Sequence, residues 1–89
     1  MFLHLGGDVV IPIKDIIAIL DMESTTVSKI TKEFLTTAEE EGFIENISHD
    51  IPKTFIITES NKKSKIFLSP ISSVTLFKRA GFMYEIANV

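Results

Sequence analysis

Short runs of apolar residues, separated by glycine, proline or polar clusters, set the pattern of the first part of the chain. Two β-prone runs at 2–5 and 9–13 flank a Gly-Gly-Asp segment at 6–8, and glycine supplies the positive φ that tight hairpin turns need. Pro12 has no amide donor, so the second strand is expected to end there, to bulge or to lie on a sheet edge. The pattern predicts a β-hairpin at the start of the chain.

The next apolar run, Ile16 to Leu20, lies between Asp15 and Asp21. It is too short for a helix and is apolar on both faces, which is typical of a strand covered on both sides. We therefore place this strand near the middle of the sheet.

Helical spacing begins after Ser24, whose side chain can accept hydrogen bonds from the unpaired backbone amides at a helix start. The apolar positions that follow share one helical face. They are Val27, Ile30, Phe34, Leu35 and Ala38. Gly42 is predicted to end this longer helix, and a short strand is predicted between Phe43 and Ile47.

The second half of the chain predicts another hairpin and a short helix. The β-branched and aromatic segment 53–58 and the apolar segment 66–68 flank polar residues that include three lysines. Serines in 69–73 offer helix caps, and the apolar spacing after them suits a short helix ending at Gly81. These elements predict an α+β fold with a small and mostly antiparallel sheet, one longer helix and one short helix. They are expected to form a single domain over residues 1–89.

The residue types leave little room for catalysis or for a metal site. The chain has no cysteine, which excludes disulfides, thiolate metal sites and thiol nucleophiles. His4 and His49 have no partner at metal-ligand spacing and are interpreted as a strand and a loop histidine. Asp8, Asp15 and Asp21 lack the pattern of a calcium loop, and the paired glycines lack that of a phosphate loop. We predict a protein that is not an enzyme and takes no cofactor and no metal.

Charge divides the chain into two parts. Residues 1–45 carry three lysines and nine acidic residues, a net of −6, whereas 46–89 carry six basic and three acidic residues, a net of +3. Segment 53–79 has a net charge of +5, which suits phosphate binding. The predicted DNA-binding residues are Lys53, Lys62, Lys63, Lys65, Lys78 and Arg79. The alternative interpretation is a solvated hairpin tip, where lysines also prevent edge pairing.

The chain is apolar for its size, with 45% hydrophobic residues and a mean hydropathy of +0.28. A small domain has a large surface to cover, so this excess favours self-assembly, although an efficiently packed monomer is the competing interpretation. The predicted oligomer interface is Phe82, Met83 and Tyr84 in the apolar tail, with the first hairpin as the alternative contact. The opening residues lack the features of a secretory signal and no stretch reaches roughly 20 apolar residues, so we expect a cytoplasmic protein without a membrane partner.

Three segments carry a recognisable family pattern. They are FLHLGGDVVIPIKDIIAILD, KTFIITES and IFLSPISSVTLFKRAGFMYEI. They resemble the Rem family of extracellular matrix regulatory proteins of Gram-positive bacteria, and within it the RemB branch. The part from Ser69 to Ile86 is the most distinctive, whereas 22–51 matches only as a helix followed by a variable loop.

The resemblance implies a small DNA-associated regulator of biofilm matrix genes, with a fold similar to LytTR-type DNA-binding domains. It also implies assembly into rings that present many basic surfaces, as in the RemA branch. That branch carries an Arg-rich loop before the strand that corresponds to 54–58. This chain has HDIPK at 49–53, so only Lys53 keeps the charge and Asp50 opposes it.

Two functions follow as hypotheses. The leading one is a ring- or oligomer-forming transcriptional regulator, a homo-oligomer whose linked weak basic sites bind double-stranded DNA. The alternative is a self-assembling protein-interaction module that partners another regulator, such as a RemA-like protein, and has little DNA affinity of its own.

Overall fold

The computed structural model describes residues 1–22 and 29–81. In chain order its elements are β1 (Phe2–Gly6), β2 (Val9–Pro12), a 3₁₀ turn (Ile13–Asp15), β3 (Ile16–Asp21), α1 (Lys29–Glu40), β4 (Ile44–Asn46), β5 (Thr54–Ser60), β6 (Lys63–Ser69) and α2 (Ser73–Ala80). Strands β1 and β2 form a two-stranded sheet, and a four-stranded sheet has the order β3-β5-β6-β4. Every pairing in these ranges is antiparallel except that of β4 with β6. The predicted α+β class is confirmed, while the likeness to LytTR-type domains stays a prediction.

The four-stranded sheet is packed on both faces. Alternate side chains of a strand point to opposite faces, so Ile56 and Phe67 join the cluster under the first hairpin and α2, whereas Phe55 and Ile66 join the cluster under α1. The other buried members of the first cluster are Leu3, Leu5, Ile11, Ile19, Leu76 and Ala80. The chain therefore forms three layers, with the sheet between α1 and the layer of hairpin and α2.

The predicted apolar positions of helix α1 differ in how far the sheet covers them. Ala38 is buried and Leu35 packs against the same cluster, as expected. Phe34 is instead 46% exposed, because it lies about 100° around the helix from Leu35, at the border of the apolar stripe. The predicted cap Ser24 and the position Val27 lie outside the described residues. The predicted helix end is confirmed, since Gly42 follows α1 with a φ of +79°.

Strand β3 lies at the edge of the four-stranded sheet, so the prediction of a central strand was wrong. It pairs with β5 on one side, and Ile17, where the register of this pairing shifts, has a side chain that is 61% exposed. The central strands are β5 and β6, where Phe55 and Ile56 are almost completely buried. An apolar run on both faces permits burial but does not require it, since a protein surface contains much apolar area.

Ser69 joins the two sheets and is not a helix cap, which corrects its interpretation from the sequence. The register of β1 with β2 shifts between His4 and Gly6, which leaves Leu5 in a bulge. The Ser69 hydroxyl donates to the Leu5 carbonyl oxygen at 2.6 Å and accepts from the Ile71 amide at 3.0 Å. Both Leu5 and Ser69 are fully buried, so this hydroxyl satisfies a Leu5 carbonyl that water cannot reach and also pairs the amide of the partly buried Ile71.

The predicted caps of the short helix are confirmed at Ser72 and Gly81. The Ser72 hydroxyl accepts a hydrogen bond from the Thr75 amide at 3.3 Å, which pairs one of the free amides at the helix start. Gly81 adopts the left-handed conformation, and its amide donates to the Lys78 carbonyl at 3.2 Å. These caps fix the direction of α2, whose Leu76 is fully buried in the core.

Candidate nucleic-acid interface

A two-stranded segment, residues 59–65, projects from the end of the sheet, and we call it the basic arm. Along β5, pairing with β3 ends at Thr58, opposite Ile16. Along β6, pairing with β4 begins at Ile66, opposite Ile44. The residues between them are all exposed, and among the described strands β5 and β6 pair here only with each other, with Lys65 opposite Thr58. The arm therefore extends about 10 Å beyond its neighbouring strands at about 3.3 Å per residue.

The tip of the basic arm is a two-residue turn without glycine. Asn61 and Lys62 have φ values of +52° and +66°, the left-handed conformation that a type I′ hairpin requires at both central positions. Asn tolerates this conformation, but a lysine there is unusual, because its Cβ crowds the backbone. The arm thus carries a lysine where glycine would fit with less strain.

Replacing Lys62 by glycine is expected to stabilise the fold by roughly 0.5–1 kcal/mol, because glycine adopts a positive φ without steric cost. Urea unfolding followed by circular dichroism measures this as a higher midpoint. Lys63→Gly is the matched control, since Lys63 lies in β6 and glycine weakens a strand. A lower midpoint for Lys62→Gly than for the unchanged protein would contradict the strained turn.

The three lysines of the arm differ in how free their charges are. Lys65 Nζ lies 3.1 Å from a carboxylate oxygen of Glu45 and 5.6 Å from the centre of the Phe67 ring. Lys62 and Lys63 have no ion pair within the part of the chain that the structure describes. An exposed pair such as that of Lys65 contributes only about 0–1 kcal/mol. The amines of Lys62 and Lys63 are therefore available to bind an anion. Lys65 can also bind it, because breaking its exposed ion pair with Glu45 costs little free energy.

Lys53 lies at the opposite end of the same hairpin. Lys53 precedes β5, and Lys62 follows β5. The seven residues of this strand separate its two ends by about 23 Å. The Lys53 backbone is fixed by hydrogen bonds from its amide to the Ser69 carbonyl and from the Met22 amide to its carbonyl, at 2.8 and 2.9 Å. Its side chain is exposed, beside a loop that also carries the exposed Asp50.

Lys78 and Arg79 lie on the last turn of α2, as the sequence predicts. The Arg79 guanidinium, however, donates from Nη1 to the His4 carbonyl oxygen at 3.3 Å, so it joins α2 to β1. Neither side chain lines the groove beside the basic arm. The structure thus brings together Lys62, Lys63 and Lys65, and it divides the other three predicted residues between two separate places.

A groove of about 770 Å³ lies beside the basic arm. Its lining residues are Ile11, Asp15, Phe43, Thr58, Ser60, Asn61, Lys62, Lys63, Ser64, Lys65 and Phe67. Sequence reasoning singled out the three lysines but not Phe43, which is 45% exposed. Its exposure has no signal in the sequence, because it depends on how β4 meets β6.

The predicted oligomer interface at Phe82, Met83 and Tyr84 lies outside the described residues. The alternative contact, the first hairpin, does present apolar surface. Phe2 is 67% and Val10 is 53% exposed, on the face of the hairpin opposite the buried Leu3.

His4 is a polar side chain of the first hairpin, which the sequence predicts as a strand histidine. His4 Nε2 lies 2.8 Å from the Gly7 carbonyl oxygen, a contact within the turn of the first hairpin. Within 1–22 and 29–81, no three His, Asp or Glu side chains come together as a metal site. No helix in those ranges is long and apolar enough to cross a membrane.

Comparison with known proteins gives two findings. The family model of "RemA-like: Extracellular matrix regulatory protein A-like" matches residues 2–80. The chain is also 38% identical over 86 residues to Extracellular matrix regulatory protein B of Bacillus subtilis (strain 168), an alignment that covers 97% of this chain and 98% of that protein. The resemblance to the Rem family and its RemB branch is therefore confirmed.

Proposed function

The chain belongs to the RemA-like family of extracellular matrix regulatory proteins, and from this premise we propose that it is an oligomeric transcriptional regulator that binds DNA through its basic arm. Its place of action is the cytoplasm, where it controls genes of the extracellular matrix. The observation that carries this proposal is the arm, a projecting β-ribbon whose tip carries two lysines without an ion pair among the described residues.

The shape of the arm supports DNA as the partner. The major groove of B-DNA admits a two-stranded β-ribbon, and the arm has all its residues exposed and no neighbouring strand on either side. Lys62 and Lys63 would contact phosphates, which position a protein on the duplex without reading its sequence. Lysine at the strained turn position supports a binding role, since glycine would favour the fold.

The loop before β5 gives less support for DNA contact. In the RemA branch an Arg-rich loop is expected there, but this chain places the exposed His49 and Asp50 beside Lys53. Asp50 repels phosphate, and a lysine lacks the forked donors of arginine. We therefore assign the main contact to the arm, with Lys53, Lys78 and Arg79 as outlying contacts of a larger surface.

Self-assembly would compensate for a weak single site. Linked sites raise the effective concentration of each other, so several arms bind one duplex more tightly than one arm does. The exposed Phe2 and Val10 supply apolar area for a contact between subunits. Specificity would then come from DNA shape and from the spacing of subunits along the duplex.

The second candidate is a module that assembles and binds another regulator, such as a RemA-like protein, without DNA. The overall charge of −3 and the exposed acidic residues Glu39, Glu40 and Glu41 at the end of α1 favour it, because like charge lowers the encounter rate with DNA.

One experiment separates the two candidates. The purified chain is sized by light scattering with and without labelled duplex DNA at low salt. We expect an assembly larger than one chain that binds the duplex and releases it as salt rises. An assembly that leaves the duplex free at low salt would contradict DNA binding and support the interaction module.

A further inference from the structure

The groove beside the basic arm has the composition of a small-molecule site. Its volume of about 770 Å³ is within the roughly 300–1,000 Å³ that such sites occupy. We propose that the groove binds a free nucleotide, a ligand that combines an aromatic base, a ribose and a phosphate. This binding does not depend on the proposed DNA contact.

The floor and one wall of the groove suit an aromatic base. The buried Ile11 and Phe67 form an apolar floor, and Phe43 lines the groove with 45% of its surface exposed. The Phe43 carbonyl accepts a hydrogen bond from the Ile66 amide at 2.7 Å, which holds this residue against β6. A half-exposed aromatic ring on an anchored backbone can stack on any base.

The arm side of the groove suits the phosphate. Lys63, Lys65 and Phe67 occupy alternate positions along β6, so their side chains leave the sheet on the same face. Its amine has no ion pair in the described ranges, whereas the amine of Lys65 is held by Glu45. Lys63 and Lys62 therefore supply positive charge for the anion.

Asp15 distinguishes a nucleotide from a simple anion. It is the one carboxylate among the described residues that line the groove, and it would repel inorganic phosphate. A carboxylate accepts hydrogen bonds from hydroxyl groups, and the ribose of a nucleotide supplies them. The combination of an aromatic ring, a carboxylate and free lysines thus selects a ligand with all three parts.

A nucleotide in this groove would also control the arm. It would neutralise Lys62 and Lys63, which the proposed function assigns to DNA, so nucleotide and duplex would compete. This regulatory consequence rests on the proposed function. Displacement of labelled duplex by adenosine monophosphate supports it, and nucleotide binding that leaves the duplex in place contradicts the assignment of DNA to the arm alone.

Nuclear magnetic resonance titration of the ¹⁵N-labelled chain tests the site itself. The probes are adenosine monophosphate, adenosine and inorganic phosphate, each added separately. We expect saturable shifts of the amides of Phe43 and of residues 63–67 with the nucleotide, at a Kd at least tenfold below that of either fragment. Equal binding of nucleotide and phosphate, or no binding at millimolar nucleotide, would overturn the proposal.

Substitutions at two phenylalanines of equal exposure complete the test. Phe43→Ala is expected to weaken nucleotide binding at least fivefold while phosphate binding stays unchanged, and Phe43→Trp, which keeps an aromatic ring, is expected to retain it. Phe34 on α1 is 46% exposed and lies outside the groove, so Phe34→Ala should leave binding unchanged. The proposal would be contradicted if Phe43→Ala and Phe34→Ala bound the nucleotide with equal affinity. It would also be contradicted if the chain bound a ten-nucleotide single strand but not the mononucleotide.

Discussion

Replacing Lys62 and Lys63 together by glutamine is expected to lower the affinity for duplex DNA by roughly tenfold or more per bound subunit at 0.1 M salt. Each phosphate contact contributes about 0.9 to the slope of log affinity against log salt. Loss of two contacts should therefore flatten the slope by about 1.8 for each subunit on the duplex. Fluorescence anisotropy of labelled duplex, titrated at several salt concentrations, measures both quantities.

The control for this variant is the double substitution of Lys29 and Lys32 by glutamine. Both lysines lie exposed on α1, across the sheet from the first hairpin, and the change in net charge is the same. We expect an affinity and a salt slope close to those of the unchanged protein. If both double variants lost affinity equally, the effect would come from net charge alone and the arm would not be the contact.

Ser69→Ala is expected to destabilise the fold by about 1–3 kcal/mol. The hydroxyl donates to the Leu5 carbonyl at 2.6 Å and accepts from the Ile71 amide at 3.0 Å, and a buried backbone group such as this carbonyl costs about 1–3 kcal/mol when left unpaired. The substitution removes only the hydroxyl group and leaves the net charge unchanged. Urea or thermal unfolding of the purified variant measures the difference.

Ser64→Ala is the matched control for this prediction, because Ser64 lies on the same strand but is exposed on the basic arm. Its stability should stay within about 0.5 kcal/mol of that of the unchanged protein. A Ser69→Ala variant as stable as Ser64→Ala would mean that the hydroxyl does not hold the first hairpin on the sheet.

Local signals in the sequence predicted the elements well. Both hairpins, the short strand after Gly42 and the caps Ser72 and Gly81 follow from turn and capping chemistry within a few residues. The order of the strands does not follow from such signals. The run from Ile16 to Leu20 is as apolar as a central strand, and only its pairing with β5, about 40 residues away in sequence, places it at the edge.

The candidate site shows the same division between local and long-range information. The lysines were recognisable as a cluster, but Lys53 is separated from Lys62 by the length of β5. The polar residues 59–65 are interpreted from the sequence as the tip of a hairpin, but the turn at Asn61 and Lys62 lacks the glycine that signals a tight turn, so the sequence does not show that both strands continue into the arm. The bond from Ser69 to Leu5 joins residues 64 positions apart, which no local pattern reveals.

Crosslinking from single positions tests most directly whether the basic arm contacts DNA. The chain has no cysteine, so Ser60→Cys on the arm and Thr36→Cys on α1 each carry one photoreactive azide label, both at exposed positions. After illumination with a labelled duplex, a denaturing gel separates crosslinked from free DNA. We expect crosslinks from position 60 that disappear at high salt, and none above background from position 36. Equal crosslinking from both positions, or crosslinking from position 36 alone, would contradict the arm as the DNA contact.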